Sequence, residues 1–152
     1  MATIGFLNIN GNDAFTTYGI VVKPKNYAKL LKFPTRKDNG LTTNFKDENG
    51  EDVYLSAPKY EAVNLALPFW ICGNNELDFF NKYAAFRTLM LTGAEMNWDF
   101  LKMGGSGRRF KLYYKEMSDF DTLTKTSGGN KVYCEFIIAL KNNHPTTVFS
   151  II

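Results

Sequence analysis

The chain is poor in the side chains on which most catalysis and metal binding depend. It has one histidine, His144, followed by Pro145, and two cysteines, Cys72 and Cys134, that lie far apart. A lone histidine suggests no Ser-His or Cys-His arrangement, and cysteines without a closely spaced partner form no zinc-ligand pair. Both thiols are expected to be free in a reducing compartment, because a core of this size needs no disulfide staple. The opening residues, MATIGFLNINGN, lack a basic segment followed by a continuous apolar run, so no signal peptide is expected. No apolar stretch approaches the length of a membrane span. These absences point to a chain made and kept in a cytoplasm, with no metal and no cofactor. A pair of carboxylates meeting across strands is the catalytic arrangement that stays open.

Aromatic residues are abundant: thirteen Phe and eight Tyr in a chain of 152 residues that is 45% hydrophobic. That composition belongs to a folded protein and favours strands, on whose pleated surface aromatic side chains pack well. No repeat or low-complexity linker interrupts the sequence, so a single domain over 1–152 is expected. The net charge is only +3, but it is segregated. Lys23, Lys25, Lys29, Lys32, Arg36 and Lys37 precede the first answering acid, Asp38, whereas acids gather in KDENGED, residues 46–52. Such separation suits a complementary surface, although a solvated face is the commoner meaning of a charge run.

Periodicity gives the organisation. In LNINGNDAF, residues 7–15, Asn10-Gly11 between apolar runs predicts a tight turn. FTTYGIVV should be a strand with a bulge or close contact near Gly19. Residues 24–40 form a Pro-bounded basic connection with one helical turn in YAKLL, and 41–56 a hairpin turning at Asn49-Gly50. Val63, Leu65, Leu67, Phe69 and Ile71 alternate as a half-buried strand; Pro68 puts an edge or bulge on one side of it. Residues 76–91 form the single helix, with Asn75 as cap, Asp78 at its third position and Gly93 beyond its end. Its stripes, Leu77/Phe80/Ala84/Leu91 and Phe79/Tyr83/Phe86/Met90, make an apolar face broad enough for a sheet and a neighbouring subunit. Met96, Trp98 and Phe100, then Phe110, Leu112 and Tyr114, then Val132, Cys134, Phe136, Ile138 and Leu140 continue the alternation, and TTVFSII ends it. One helix on about eight strands is mainly β (α+β): two packed antiparallel sheets or a partly open barrel with one flanking helix.

FLKMGGSGRRFKLYYK, residues 100–115, admits three readings: a phosphate loop, a base-stacking strand, or a hairpin with a charged outer face. A phosphate loop needs Gly-Lys-Ser/Thr and a helix behind it, and here the glycines lead into an alternating strand. They are read as the connection between residues 95–101 and 108–117. Asp119 and Asp121 in SDFD suit a polar loop or cap better than a cation site, and DENGED lacks the ligand spacing and closing Glu of an EF-hand. Arg108, Arg109, Lys111, Tyr113 and Lys115 mix cations with aromatics as single-strand-binding sheets do. The RNP1 pattern is absent, however, and the same mixture is ordinary on a β surface.

Taken in order, FLNINGNDAFTTYGIVV, the basic YAKLLKFPTRKDNG, an acidic hairpin, YEAVNLALPFWI, a flank helix and a terminal hairpin resemble the distal tail and tail-tube proteins of long-tailed phages and prophages. The resemblance runs over about residues 4–141 and rests on pattern and short phrases. It implies a virion structural protein of two antiparallel sheets and one helix, self-assembled as a hexameric ring whose strands join into a barrel around a DNA channel. Long loops would reach a neighbour, other tail proteins would be partners, DNA would pass as cargo without sequence-specific binding, and no membrane would be entered. Many distal tail proteins carry a second, carbohydrate-binding-like domain, for which no residues remain here. Tail lumens are often acidic, whereas this chain is slightly basic. The candidate subunit interface pairs Arg108 and Arg109 with Asp47, Glu48, Glu51 and Asp52 of another subunit. The alternative function is a β-barrel nucleic-acid-binding protein.

Overall fold

A computed structural model describes residues 5–23, 26–37, 42–43, 52–53, 58–120, 124–125 and 131–151. The chain starts with β1 (Leu7–Ile9) and β2 (Asn12–Asp13), joined through Asn10 and Gly11, both at positive φ (51° and 84°). That is the geometry the Asn-Gly pair predicts, since such turns match the twist of the flanking strands. The next segment differs from the expected strand. Residues Ala14–Tyr18 form a short helix, α1, before β3 (Ile20–Val22). The Asp13 carboxylate accepts hydrogen bonds from the Thr16 and Gly5 amides, both at 2.8 Å, and so caps the helix against the β-propensity of Phe, Thr and Tyr. Gly19 stops it at φ 67°, and a Cβ there would lie 2.3 Å from the Cys72 carbonyl oxygen. The close contact expected at Gly19 is present.

Tyr27–Leu31 makes a turn of 3-10 helix, within the segment expected to turn once. Strands β4 (Thr42–Thr43) and β5 (Asp52–Val53) pair antiparallel, as the 41–56 hairpin predicts; its turn lies outside the described residues. Then come β6 (Val63–Gly73), helix α2 (Glu76–Leu91), β7 (Met96–Phe100), β8 (Arg108–Ser118), β9 (Thr124–Lys125), β10 (Val132–Asn142) and β11 (Phe149–Ser150). The main sheet runs β2-β1-β7-β8-β10-β6-β3, with β9 added to β10 and β11 to β8, and every pairing is antiparallel. It is one sheet curled into a half-barrel, so of the two architectures the sequence allows, the structure takes the partly open barrel with a flanking helix.

The alternations decide which face is inner. Val63, Leu65, Leu67, Phe69 and Ile71 on β6, and Val132, Cys134, Phe136, Ile138 and Leu140 on β10, are all buried. Met96, Trp98, Phe100 and Leu112 extend that face across β7 and β8. Asn75 caps α2 by accepting the Asp78 amide at 2.8 Å, and Asp78 reaches back to the Asn74 amide at 2.8 Å. The helix lies on the inner face, where Phe86 meets Phe136 and Tyr18 with ring centroids 6.0 Å apart in each case.

Two irregularities matter. In β8, Tyr114 pairs with Leu140 but Glu116 pairs with Ala139, which leaves Lys115 as an extra, bulged residue. Beyond it Met117 packs on the core. On β6, the Lys23 amide donates to the Pro68 carbonyl at 3.1 Å just past the end of β3. The missing Pro68 N–H therefore falls where β6 becomes an edge, and the Asn26 side chain takes up the Lys23 carbonyl at 3.2 Å.

Candidate functional site

The glycine stretch connects β7 to β8 as the sequence predicts, and the paired arginines after it have different roles. Arg109 makes a bidentate pair with Asp99 across the two strands, Nε to Oδ1 at 2.7 Å and the second nitrogen to Oδ2 at 3.0 Å. Asp99 is buried, although alternation alone places it on the outer face with Glu95 and Asn97. The hydrogen bonds and charge of Asp99 push the Arg109 pKa further up. Arg108 instead lies against Gly104 and, among the described residues, bonds its own loop, to the Gly107 carbonyl at 2.8 Å and the Ser106 hydroxyl at 3.3 Å. Of the acids proposed to meet these arginines, Asp47, Glu48 and Glu51 lie outside the described residues, and Asp52 sits in β5 opposite Thr43.

Arg108 and Lys111 border a groove of about 660 Å³ at one end of the sheet. Three segments distant in sequence meet there: 30–34, 103–111 and 142–149. Leu30, Val63, Met103 and Phe110 give it an apolar floor; among the described residues its charged lining is Lys32, Arg108, Arg109 and Lys111. Phe33 and Val148 stand on its margin 88% and 86% exposed. The Lys111 ammonium lies 4.7 Å from the Phe149 ring centre, and His144 meets both that ring and, at 2.9 Å, the Glu95 carboxylate. Sequence periodicity missed this groove, because its walls come together only through the tertiary fold. A second apolar surface lies on α2, where Leu77, Phe80 and Leu91 are exposed while the neighbouring stripe is buried.

The outer face of the sheet is mixed. Glu135 accepts from Lys23 at 2.6 Å and from the Trp70 indole at 2.8 Å, and these bonds, Lys23 first, hold its carboxyl below the usual range. Tyr113 pairs with Lys141 on that face, half-buried. The cysteines sit on adjacent strands one register position apart, with Cys134 opposite Ile71 and Cys72 opposite Tyr133. They therefore project from opposite faces and form no disulfide with each other. Burial pushes the Cys72 thiol up, against the pull of Lys82 and Lys131. Among the described residues no cluster of His, Cys, Asp and Glu could hold a metal, and no helix is long and apolar enough to cross a membrane.

No family model matches the chain, and no curated protein matches it. Among solved structures, it superimposes on the Dit protein (gp 19.1) of phage SPP1 with a TM-score of 0.59 over 92% of its length. Its fold is that of a phage distal tail protein. The two sequences are 13% identical, and this chain spans 50% of the SPP1 Dit chain. SPP1 Dit is described as a paradigm of the hub adsorption apparatus in phages infecting Gram-positive bacteria. The Dit-like fold thus agrees with the resemblance drawn from the order of segments.

Proposed function

We propose that this chain is a phage or prophage virion structural protein, a ring-forming tail component of the distal tail or tail-tube type. It acts by self-assembly rather than catalysis, in a virion tail built in the bacterial cytoplasm, with further copies of itself and other tail proteins as partners. The observation that carries this reading is the Dit-like fold over nearly the whole chain. The exposed apolar residues at the groove and on α2 support it, since a soluble monomer rarely leaves such surface uncovered. Ring closure would also pair the open edges of the sheet. Arg108 is the better placed of the two arginines for a contact with the acids of 46–52, because Arg109 is engaged by Asp99.

Negative-stain microscopy of the purified chain, alone and mixed with neighbouring tail proteins, tests the reading. Rings or stacked rings are expected. A monomer at every concentration, even beside those partners, would sink it. Tight binding to short DNA or RNA at physiological salt, dependent on Tyr113, would favour a nucleic-acid-binding protein instead.

A further inference from the structure

We propose that the groove at the end of the sheet is a binding site for a single-chain aliphatic carboxylate, with Arg108 as the group that holds its anionic head. The inference goes beyond the assembly reading and concerns one chain alone, so its failure would leave the ring reading standing. Arg108 is then open to the acids of 46–52 only while the groove is empty.

The head site follows from a contrast between adjacent arginines. Arg109 presents its Nε–Nη2 edge to Asp99, whose two carboxylate oxygens accept one bond each, at 2.7 and 3.0 Å. Arg108 has the same edge, with no carboxylate on it among the described residues. Its bonds to the Gly107 carbonyl at 2.8 Å and the Ser106 hydroxyl at 3.3 Å both leave from Nη1. They hold the guanidinium against Gly104, where an added Cβ would come within 3.1 Å of Cζ. Ile151 steadies the same loop, since a Cβ on Gly107 would lie 2.5 Å from its Cδ1. The Arg108 fork is thus fixed on one side and unfilled on the other, an arrangement that suits a carboxylate met edge-on.

The tail site follows from the floor. Arg108 pairs with Phe100 and so projects with Phe110 to the inner face, whereas Arg109 projects with Asp99 to the outer. There Leu30, Val63 and Met103 join Phe110 in a cavity of about 660 Å³, inside the range of about 300–1,000 Å³ in which small-molecule sites fall. Leu, Val and a pliable Met thioether wrap a flexible chain better than a flat ring. The charged lining among the described residues is cationic, Lys32 adding to Arg108, so the field at the mouth selects an anion over a neutral or cationic amphiphile.

Isothermal titration of the full chain with octanoate, decanoate and dodecanoate, all below micelle formation, tests the proposal. Saturable binding at a single site is expected, tightening about threefold to fourfold per added methylene as the tail is buried. Decanol, which keeps the tail and lacks the charge, should bind about tenfold more weakly than decanoate, and acetate should not bind measurably. Arg108→Gln should bring decanoate down to the level of decanol. Arg108→Lys should recover part of the difference, because charge returns without the fork. Val148→Ser, at the exposed margin, should weaken acid and alcohol alike. A diazirine on the dodecanoate tail gives a second measurement on the native chain. Photolysis should label 30–34, 103–110 or 145–149 and spare Leu77, Phe80 and Leu91, the other exposed apolar surface. Absence of saturable dodecanoate binding, or equal binding of decanol or decyltrimethylammonium by the native chain, would overturn the proposal. So would an Arg108→Gln variant that binds as the native chain does, or labelling centred on α2.

Discussion

Helix α2 carries two apolar stripes that the fold uses differently. Phe79, Phe86 and Met90 are buried against the sheet, with Phe86 seated between Phe136 and Tyr18. One step around the helix, Leu77, Phe80 and Leu91 face solvent, Leu77 at 73% exposure. Apolar character does not distinguish the stripes, since Leu and Phe make up one and Phe, Tyr and Met the other. The difference is that one stripe is packed on the sheet, whereas the other stays half or more exposed and touches its own chain only at its margin, as where the Phe80 ring meets Phe79 at 5.3 Å. The two arginines after the glycine loop repeat the contrast, Arg109 tied to Asp99 and Arg108 bonded, among the described residues, to its own loop. Residues that hold the fold together thus lie next to residues that the fold leaves exposed.

The sharpest test of that division is Phe86→Ala, expected to destabilise the fold by about 3–5 kcal/mol through lost burial and a residual cavity. Urea unfolding reads it, and a cost near zero would break the comparison at its inner side. Next in size, Arg109→Ala leaves buried Asp99 without its cation and should cost about 1–3 kcal/mol, discounted because the arginine is partly exposed. Arg108→Ala should stay within about 0.5 kcal/mol. Equal effects of the two would erase the contrast between them.

Acid sharpens it from another direction. Asp78 is held below the ordinary carboxylate range by its bond from the Asn74 amide, then by Lys82, and Glu135 by Lys23 and then Trp70. A carboxylate depressed in the folded state contributes stability that is fully present above its unfolded pKa, about 4. That contribution is lost as pH falls through the lower folded value. The melting temperature should therefore drop on acidification below about pH 4, and less steeply in Asp78→Asn. An identical acid profile in that variant would remove Asp78 as a source of the slope. The smallest expected effect on the fold is that of the double change Leu77→Ser/Phe80→Ser, within about 0.5 kcal/mol. If α2 is also an assembly surface, sedimentation of the same protein should show weakened self-association. A marked loss of stability would mean the outer stripe belongs to the core.

Much of the fold was legible in the sequence, for reasons that are local. Strict alternation on β6 and β10 identifies the inner face residue by residue, and Asn75 with Asp78 marks the start of α2. Asn10-Gly11 reads correctly because few residue pairs adopt its backbone. The misses involve competition between levels. α1 forms because the Asp13 cap and the Gly19 stop override the strand preference of FTTY. Asp99 is buried against its alternation pattern because Arg109 covers it. The groove was not legible at all, since its walls come from three segments far apart in the sequence. Of the candidate site, periodicity gave the strand bearing both arginines and could not tell which of them the chain already occupies.

The bulge at Lys115 gives the sheet an uneven tolerance for lost residues. Because Tyr114 faces Leu140 and Glu116 faces Ala139, removing Lys115 restores plain alternation with Tyr114 and Met117 still on the core side. Removing one residue elsewhere in the long strands, Ala139 for example, turns every side chain between the gap and the next loop to the wrong face. Among homologous chains, a single-residue gap in β8 should therefore fall at this position far more often than at its neighbours. The length of the strand is free to vary there by one, and the identity of the inner face is kept.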